Sequence, residues 1–275
     1  MRHLSLGYLS IMDVTPAEMV SVAAQTGYQG ISLAAGESFL PAGMEMGLRL
    51  HSVIEDAALR RETVTRARDT GVSLDQMEGF ILSPVLSLER CRMAMDITAE
   101  MGIPQVATFD AETDSVRASE YLEALCEMAA ERDLKICIEF HSRSKLRSIA
   151  AAAKLASEGR YRGLKILIDA LHLARGGETP ADVAQVPPAL IDCVQFCDGP
   201  LLSPGGKAYG YEAMFERQVP GAGELPLVAL LKSIPQEAFI YLEVPQRAAR
   251  EQGLSAIERA QRAMDGMRSV IAAAG

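Results

Sequence analysis

Residues 164–172 read LKILIDALH, an apolar run that ends in an acidic residue and passes into a segment rich in Ala and Leu. Residues 134–141 read LKICIEFH and have the same form, with Glu139 at the end of the apolar run. Short runs of β-branched and apolar residues, each followed by an amphipathic segment, predict strands that alternate with helices. These two stretches therefore predict two consecutive β/α units of a parallel sheet.

The same alternation extends over the whole chain. The predicted strands are His3–Tyr8, Gln29–Leu33, Val72–Met77, Gln105–Phe109, Leu134–Phe140, Leu164–Ile168, Ile191–Phe196 and Phe239–Leu242. The predicted helices lie between Thr15 and Gly27 and over Ala57–Thr70, Ser87–Met101, Ser115–Arg132, Lys145–Ser157, Pro180–Ala184, Leu225–Ser233 and Ser255–Ala274. Eight such units in 275 residues match a closed (β/α)8 TIM barrel better than a doubly wound sheet. We expect one α/β barrel domain over residues 1–275.

Charge and composition narrow the classes of function. The chain has 27 Lys and Arg against 36 Asp and Glu, which gives a net charge of −9 with neutral histidines. This acidic surplus argues against a nucleic-acid partner, because such proteins need basic residues to neutralise phosphates. The apolar fraction of 49% excludes a disordered chain. No apolar run approaches the roughly 20 residues of a membrane span, so we expect no membrane partner.

The cysteine pattern bears on the cellular compartment. The five cysteines are Cys91, Cys126, Cys137, Cys193 and Cys197, and none forms a Cys-x-x-Cys pair. An odd number, with two of them inside apolar runs, predicts buried reduced thiols rather than disulfides. Together with an N-terminus that lacks a signal-peptide pattern, this predicts a cytoplasmic protein. The sequence does not determine the oligomeric state, and it is compatible with a homo-oligomer.

Four oxygen-bearing side chains follow the last four predicted strands at nearly the same depth. They are Glu139, Asp169, Gln195 and Glu243. Active sites of these barrels lie at the carboxyl ends of the strands, and neighbouring strands are about 4.8 Å apart, so the four should converge. Three carboxylates repel one another unless a cation neutralises them. The pattern predicts one divalent ion, Mn²⁺ or Mg²⁺ before Co²⁺ or Zn²⁺, whereas any single acid would also suit a helix N-cap.

Further charged residues near the strand ends are candidates for the site. Arg217 precedes the eighth strand and either binds a substrate oxygen, carboxylate or phosphate or forms a salt bridge. Asp198 is expected behind the ligands, where it would orient Gln195 or a metal-bound water. The basic segment Arg143–Arg147 has the charge to attract an anion, but a solvated face of the fifth helix is the favoured interpretation. A substrate role for Glu78 is the less favoured one.

Four motifs resemble the xylose isomerase-like TIM barrels, a superfamily that includes sugar isomerases and epimerases, inosose dehydratases, 3-dehydroshikimate dehydratases and endonuclease IV. The motifs are Ile138-Glu139-Phe140, Ile168-Asp169-Ala170-Leu171-His172, Val194-Gln195-Phe196-Cys197-Asp198 and Leu242-Glu243-Val244-Pro245, together with the loop Val219–Pro226. The resemblance implies that Glu139, Asp169, Gln195 and Glu243 are metal ligands. Gln195 departs from the histidine that is usual in the sugar epimerases. Four histidines are too few for a multi-zinc nuclease site.

The resemblance also implies a class of chemistry. His172 matches a histidine that contacts substrate, and His141 matches one found in some dehydratases of the family. The substrate would be a small sugar, a polyol-derived ketone or a cyclic keto-acid. With Glu139 and Glu243 moving a proton through a metal-stabilised enediolate, the first interpretation is an isomerase or epimerase. The alternatives are a dehydratase of the 3-dehydroshikimate or keto-inositol type, and a non-catalytic binding barrel.

Overall fold

Eight parallel strands form a closed barrel in chain order in the computed structural model, which describes residues 2–36 and 51–275. The strands are β1 (Leu4–Leu6), β2 (Gly30–Ala34), β3 (Ser73–Glu78), β4 (Gln105–Phe109), β5 (Lys135–Glu139), β6 (Leu164–Asp169), β7 (Ile191–Phe196) and β8 (Phe239–Leu242). β1 closes the barrel by pairing with β8, with Leu4 opposite Ile240 and Leu6 opposite Leu242. The predicted (β/α)8 fold is confirmed.

Helices follow the strands and pack around the barrel. They are α1 (Pro16–Thr26), α2 (Ala57–Thr70), α3 (Leu88–Glu100), α4 (Ser115–Ala130), α5 (Ile149–Ala156), α6 (Ala170–Arg175), α7 (Pro180–Val183), α8 (Gly206–Phe215), α9 (Leu227–Ser233), α10 (Arg247–Glu251) and α11 (Ala256–Ala274). Thr15 and Glu18 form a reciprocal capping box that starts α1, since each side chain accepts a hydrogen bond from the other residue's backbone N–H. No helix of the described ranges has the length and apolar character that a membrane span requires.

The structure differs from the predicted elements in two segments that affect the cavity described below. The fifth helix begins at Ile149 rather than at Lys145, because the side chain of Ser148 caps it by accepting a hydrogen bond from the backbone of Ala151. The residues before Ser148 form a turn instead of a helix face. Helix α8 was not predicted at all, because the stretch before it is rich in Gly and Pro and resembles a loop.

Alternation along the strands separates the barrel interior from the layer under the helices. Ile136 and Ile138 of β5 pack outward in the main core, whereas Cys137 belongs to an inner cluster. That inner cluster consists of Ala107, Cys137, Leu167, Cys193 and Tyr241, contributed by β4 to β8. It lies one step below the strand ends and so forms the floor on which the polar residues at those ends stand. All five cysteines are buried, as predicted.

Gly30 in β2 leaves space for a polar cluster in the lower part of the barrel. A carboxylate oxygen of Asp75, which is buried, accepts a hydrogen bond from the Ser5 hydroxyl and lies 2.8 Å from Nε2 of His3. A Cβ atom added at Gly30 would lie 1.7 Å from that same oxygen. Gly30 is therefore required by space, and a larger residue would have to displace the carboxylate from its partners.

We expect Gly30→Ala to lower the free energy of unfolding by about 1–3 kcal/mol, because overpacking a buried site forces its neighbours out of position. Gly159→Ala is the matched control, since a Cβ there meets no atom within 4 Å, and its effect should stay within about 0.5 kcal/mol. Urea unfolding followed by circular dichroism measures both changes. Equal stability of the two variants would contradict this assignment.

Candidate active site

A cavity of about 410 Å³ lies at the carboxyl ends of the strands. Its polar lining includes Glu78, Glu139, His141, His172, Gln195 and Glu243. Ala107 and Leu167 of the inner cluster line it from below, and residues of α8 line it from the side. This is the end of the barrel at which the loops after the strands build active sites. The cavity is large enough for a small organic substrate.

The predicted ligand residues at the ends of β7 and β8 are in direct contact. Nε2 of Gln195 donates a hydrogen bond to Oε1 of Glu243 at 3.0 Å and lies 3.5 Å from Oε2 of Glu78. All three side chains are buried. Glu78, for which the sequence favoured no role, therefore stands in the same cluster. The signal was present in the sequence, because Glu78 ends β3 as Glu139 ends β5.

Arg217 is buried between two of the carboxylates. Its Nη1 lies 2.6 Å from Oδ2 of Asp169 and 3.2 Å from Oε2 of Glu243. Its Nε donates a hydrogen bond to the carbonyl of Ala213 at 2.8 Å, which ties the guanidinium to α8. The two carboxylates raise the pKa of Arg217 well above its usual range although burial opposes this, so the residue stays charged. Of the two roles that the sequence left open for Arg217, the salt bridge is present.

Burial controls the ionisation of the carboxyl groups around Arg217. It raises the pKa of Glu139 and Glu243 well above the usual value, and the pKa of Glu78 to about 7. Burial opposes ionisation of Asp169 as well, but the charge of Arg217 outweighs it and lowers the pKa of Asp169. One guanidinium thus keeps one carboxylate charged, while the other carboxyl groups hold protons that a cation would displace.

Two histidines stand beside the carboxylates. The Nδ1 of His172 lies 2.6 Å from the hydroxyl of Tyr209, and its Nε2 lies 3.5 Å from Oε1 of Glu139. The ring of His141 lies 5.3 Å from that of His172, centroid to centroid. Burial lowers the pKa of His172 to about 3 and that of His141 to about 4, so both imidazoles are neutral near pH 7. A neutral imidazole can bind a metal ion or accept a proton.

The donor atoms fit a metal ion. Glu139, Asp169 and His172 each offer a ligand atom, and these atoms lie within 4.8 Å of one another. The buried Oε1 atoms of Gln195 and Glu78 have no hydrogen-bond partner among the described residues, and unpartnered buried oxygens of this kind suit a cation. The predicted set was Glu139, Asp169, Gln195 and Glu243. The structure adds His172, expected as a substrate contact, at metal-ligand spacing.

The carboxylate of Asp198 is held by the backbone of the chain after β7. It accepts hydrogen bonds from the backbone N–H groups of Gly199 and Gly221, each at 2.9 Å, and of Leu225 at 3.0 Å. Among the described residues Asp198 makes no hydrogen bond to Gln195, because three backbone donors from the chain after β7 occupy both carboxylate oxygens, and its other predicted role, orienting a metal-bound water, stays a prediction. Asp198 thus ties the residues after β7 to the loop between α8 and α9.

Tyr209 is the contact residue that the sequence missed. It lies on α8, is buried, and reaches His172, whereas Tyr211 on the same helix is 48% exposed and faces away from the cavity. Nothing in the sequence pointed to Tyr209, because helix α8, and hence the side of it that faces the cavity, was not predicted. Segment Ser203–Arg217 contributes α8 to the cavity, whereas Pro41–Ser52 falls mostly outside the described residues.

Comparison with known proteins identifies the family. The pattern of the family described as xylose isomerase-like TIM barrel matches residues 20–270. A search of curated protein sequences found no significant match. A solved structure of a xylose isomerase-like TIM barrel/4-hydroxyphenylpyruvate dioxygenase fusion protein superimposes with a TM-score of 0.74 at 20% identity. The superposition covers 98% of this chain but only 42% of the fusion protein.

Solved structures of similar length share the fold at low sequence identity. The IOLI protein with a bound zinc atom has a TM-score of 0.75 at 14% identity, covering 100% of this chain and 99% of that one. The probable 3-DHS dehydratase AsbF from Bacillus anthracis has a TM-score of 0.71 at 18% identity, covering 98% of this chain and 99% of that one. D-psicose 3-epimerase in the presence of D-fructose has a TM-score of 0.70 at 14% identity, covering 100% of both chains. Likeness at these identities shows the fold, and the match over residues 20–270 shows that the chain belongs to the xylose isomerase-like TIM barrel family.

Proposed function

We propose that this protein is a divalent-metal-dependent isomerase or epimerase of a small sugar or polyol-derived ketone. The observation that supports this most strongly is the pair Glu139 and Glu243, two acids from β5 and β8 that line one cavity. Asp169, Gln195 and Arg217 stand beside them. Two acids on different strands can approach a bound substrate from different sides, which is the arrangement that epimerisation at one carbon requires.

The metal would be held by Glu139, Asp169 and His172, with the oxygens of Gln195 and Glu243 available to complete the set. When bound, such an ion polarises a carbonyl or hydroxyl oxygen as a Lewis acid. The oxygen-rich donor set favours Mn²⁺ or Mg²⁺, and the nitrogen of His172 extends the range to Co²⁺ or Zn²⁺. The zinc atom in the IOLI protein supports a metal site in this fold.

The chain's own residues would perform the proton transfer. One of Glu139 and Glu243 removes the proton from the carbon next to the carbonyl, and the other returns a proton. Burial raises the pKa of both carboxyl groups, which brings their protonation closer to neutral pH and makes each a stronger base. The apolar floor of Ala107 and Leu167 keeps bulk water away from the reacting carbon.

A dehydratase is the second candidate, and a specific observation favours it. His141 and His172 both line the cavity, with ring centroids 5.3 Å apart, and both are neutral. The lowered pKa of each imidazole makes it a weak base but a strong acid once protonated, so a histidine would give a proton to a departing hydroxyl group while a carboxylate removes the proton from carbon. The fold is shared with the probable 3-DHS dehydratase from Bacillus anthracis.

Metal binding should stabilise the protein. Saturating Mn²⁺ should raise the melting temperature of metal-free protein by about 5 °C or more, since a ligand at 100 times its Kd adds about 2.7 kcal/mol. Asp169→Asn should abolish the shift by removing a charged ligand, while Glu100→Gln, at an exposed acid on α3, should keep it. Differential scanning fluorimetry gives both results. Absence of any shift with Mn²⁺, Mg²⁺, Co²⁺ and Zn²⁺ would favour the non-catalytic binding barrel.

The two acids should be essential for turnover. In Mn²⁺-loaded protein, Glu139→Gln and Glu243→Gln should each lower kcat by about 10²–10⁴, the usual contribution of a general acid or base. Glu100→Gln again serves as the control. The assay is incubation with D-fructose in D₂O, followed by NMR, where exchange of the hydrogen next to the carbonyl without loss of water identifies an isomerase or epimerase.

The same variants distinguish the two candidate reactions. Incubation with 3-dehydroshikimate gives a conjugated product with a new ultraviolet absorbance if the protein is a dehydratase, and His141→Ala should then slow that reaction. Turnover that is unchanged in Glu139→Gln and in Glu243→Gln would rule out both proposals.

A further inference from the structure

Two arginines line the cavity, and they differ in their partners. Arg217 is fully engaged by Asp169, Glu243 and the carbonyl of Ala213. Arg143 also lines the cavity, at its exposed edge. Within residues 2–36 and 51–275, its guanidinium contacts no carboxylate and donates no hydrogen bond. Arg143 is therefore a cation at the cavity edge whose hydrogen-bond donors remain available.

A defined turn after β5 holds Arg143 in place. The backbone N–H of His141 donates to the carbonyl of Leu146 at 3.1 Å, and that of Ser144 donates to the carbonyl of His141 at 3.0 Å. The N–H of Arg143 donates to Nδ1 of the His141 ring at 3.3 Å. Ser144 is buried beneath the turn. The backbone thus directs Arg143 to the cavity through hydrogen bonds of its own segment.

The other basic residues of this segment are engaged elsewhere. Nζ of Lys145 donates to the carbonyl of Thr113, and Nε of Arg147 donates to the carbonyl of Ser144 at 3.0 Å. Neither residue lines the cavity. The interpretation of Arg143–Arg147 as a solvated helix face is therefore wrong, because the segment is a turn and its first residue faces the cavity.

Gly210 of α8 provides the space for the guanidinium. A Cβ atom on Gly210 would lie 2.5 Å from Nη1 of Arg143. The backbone at Gly210 is ordinary helix, so a glycine is needed there for room and not for its conformational freedom. Helix α8 and the turn after β5 thus meet around the arginine head, and a glycine stands at the point of closest approach.

We propose that Arg143 binds an anionic group of the substrate, a carboxylate in the first place, and so selects acidic sugars or keto-acids over neutral sugars. This assignment rests on the proposed function, because it names the substrate class of the same cavity. The planar guanidinium fork matches the two oxygens of a carboxylate. At the strand ends the guanidinium of Arg217 is already engaged by Asp169 and Glu243, whereas the guanidinium donors of Arg143 have no partner among the described residues, so the Arg143 edge is where an anionic group would be held. Bound there, the substrate presents its other end to Glu139 and Glu243.

Three ligands with one carbon skeleton test the proposal on Mn²⁺-loaded protein by isothermal titration calorimetry. D-fructuronate should bind at least about tenfold tighter than neutral D-fructose, since a hydrogen bond to a charged group is worth that factor or more. D-fructose 6-phosphate tests whether the site prefers a phosphate to a carboxylate. Arg143→Gln should lower the affinity for D-fructuronate to that for D-fructose and leave the affinity for D-fructose unchanged.

Two further variants separate position from charge. Gly210→Ala should weaken the binding of D-fructuronate, as Arg143→Gln does, because the new methyl group displaces the guanidinium. Arg162→Gln, an exposed arginine in the loop before β6, is the control and should change nothing. Circular dichroism of each variant checks that it is folded.

The outcomes are distinct. Equal affinity for all three ligands, no binding of either charged ligand, or a charge preference that survives in Arg143→Gln would overturn the proposal. Tighter binding of the phosphate ester, lost in Arg143→Gln, would support the anion site and assign it to phosphate. Charge preference without turnover would count against the proposed reaction alone, whereas turnover without charge preference would count against Arg143 alone.

Discussion

The ion pairs of Arg217 with Asp169 and Glu243 are the interaction on which the upper end of this barrel depends. Four acids, Glu78 among them, are brought together where the strands end, and their charges repel one another in a place with little water. Removing one partner of a buried ion pair typically costs about 3–5 kcal/mol. Arg217 supplies one positive charge, so the remaining acids must hold protons or share a divalent ion. The electrostatic repulsion among the acids therefore favours binding of a cation at the strand ends.

The geometry of the barrel places these acids above a packed apolar layer. Side chains alternate along each parallel strand, so Cys137 and Leu167 fill the interior one step below Glu139 and Asp169. Glu139 thus stands on a packed apolar floor and lines the cavity, and Asp169 lies beside it at metal-ligand spacing. Helix α8 closes one side and carries Tyr209, which contacts His172. Substrate chemistry would then be set by the strand ends, and substrate choice by the turn after β5 and by α8.

Much of this organisation is predictable from the sequence, for reasons visible in single segments. The runs that form β4, β7 and β8 have the predicted bounds, because short apolar runs between polar residues leave few alternatives. The convergence of Glu139, Asp169, Gln195 and Glu243 toward one cavity follows from the barrel topology once the strands are known. Their roles as ligands remain a prediction.

What the sequence did not predict depends on contacts between distant segments. Helix α8 begins at the second glycine of Pro204-Gly205-Gly206, and it is stabilised by burial of residues such as Tyr209 and Ala213 against the barrel. Asp198 was expected to support the ligands, but its oxygens are taken by the backbone of a loop that comes more than twenty residues later. Arg143 was assigned to a helix that in fact starts only where Ser148 caps it.

Anomalous diffraction from Mn²⁺-soaked crystals tests most directly whether the buried carboxylates form a cation site. We expect one strong peak in the cavity, about 2.0–2.6 Å from carboxylate oxygens of Glu139 and Asp169. No peak in the cavity at saturating Mn²⁺, or a peak only on exposed surface acids, would show that Arg217 and bound protons alone neutralise the cluster. That result would contradict a metal-dependent mechanism.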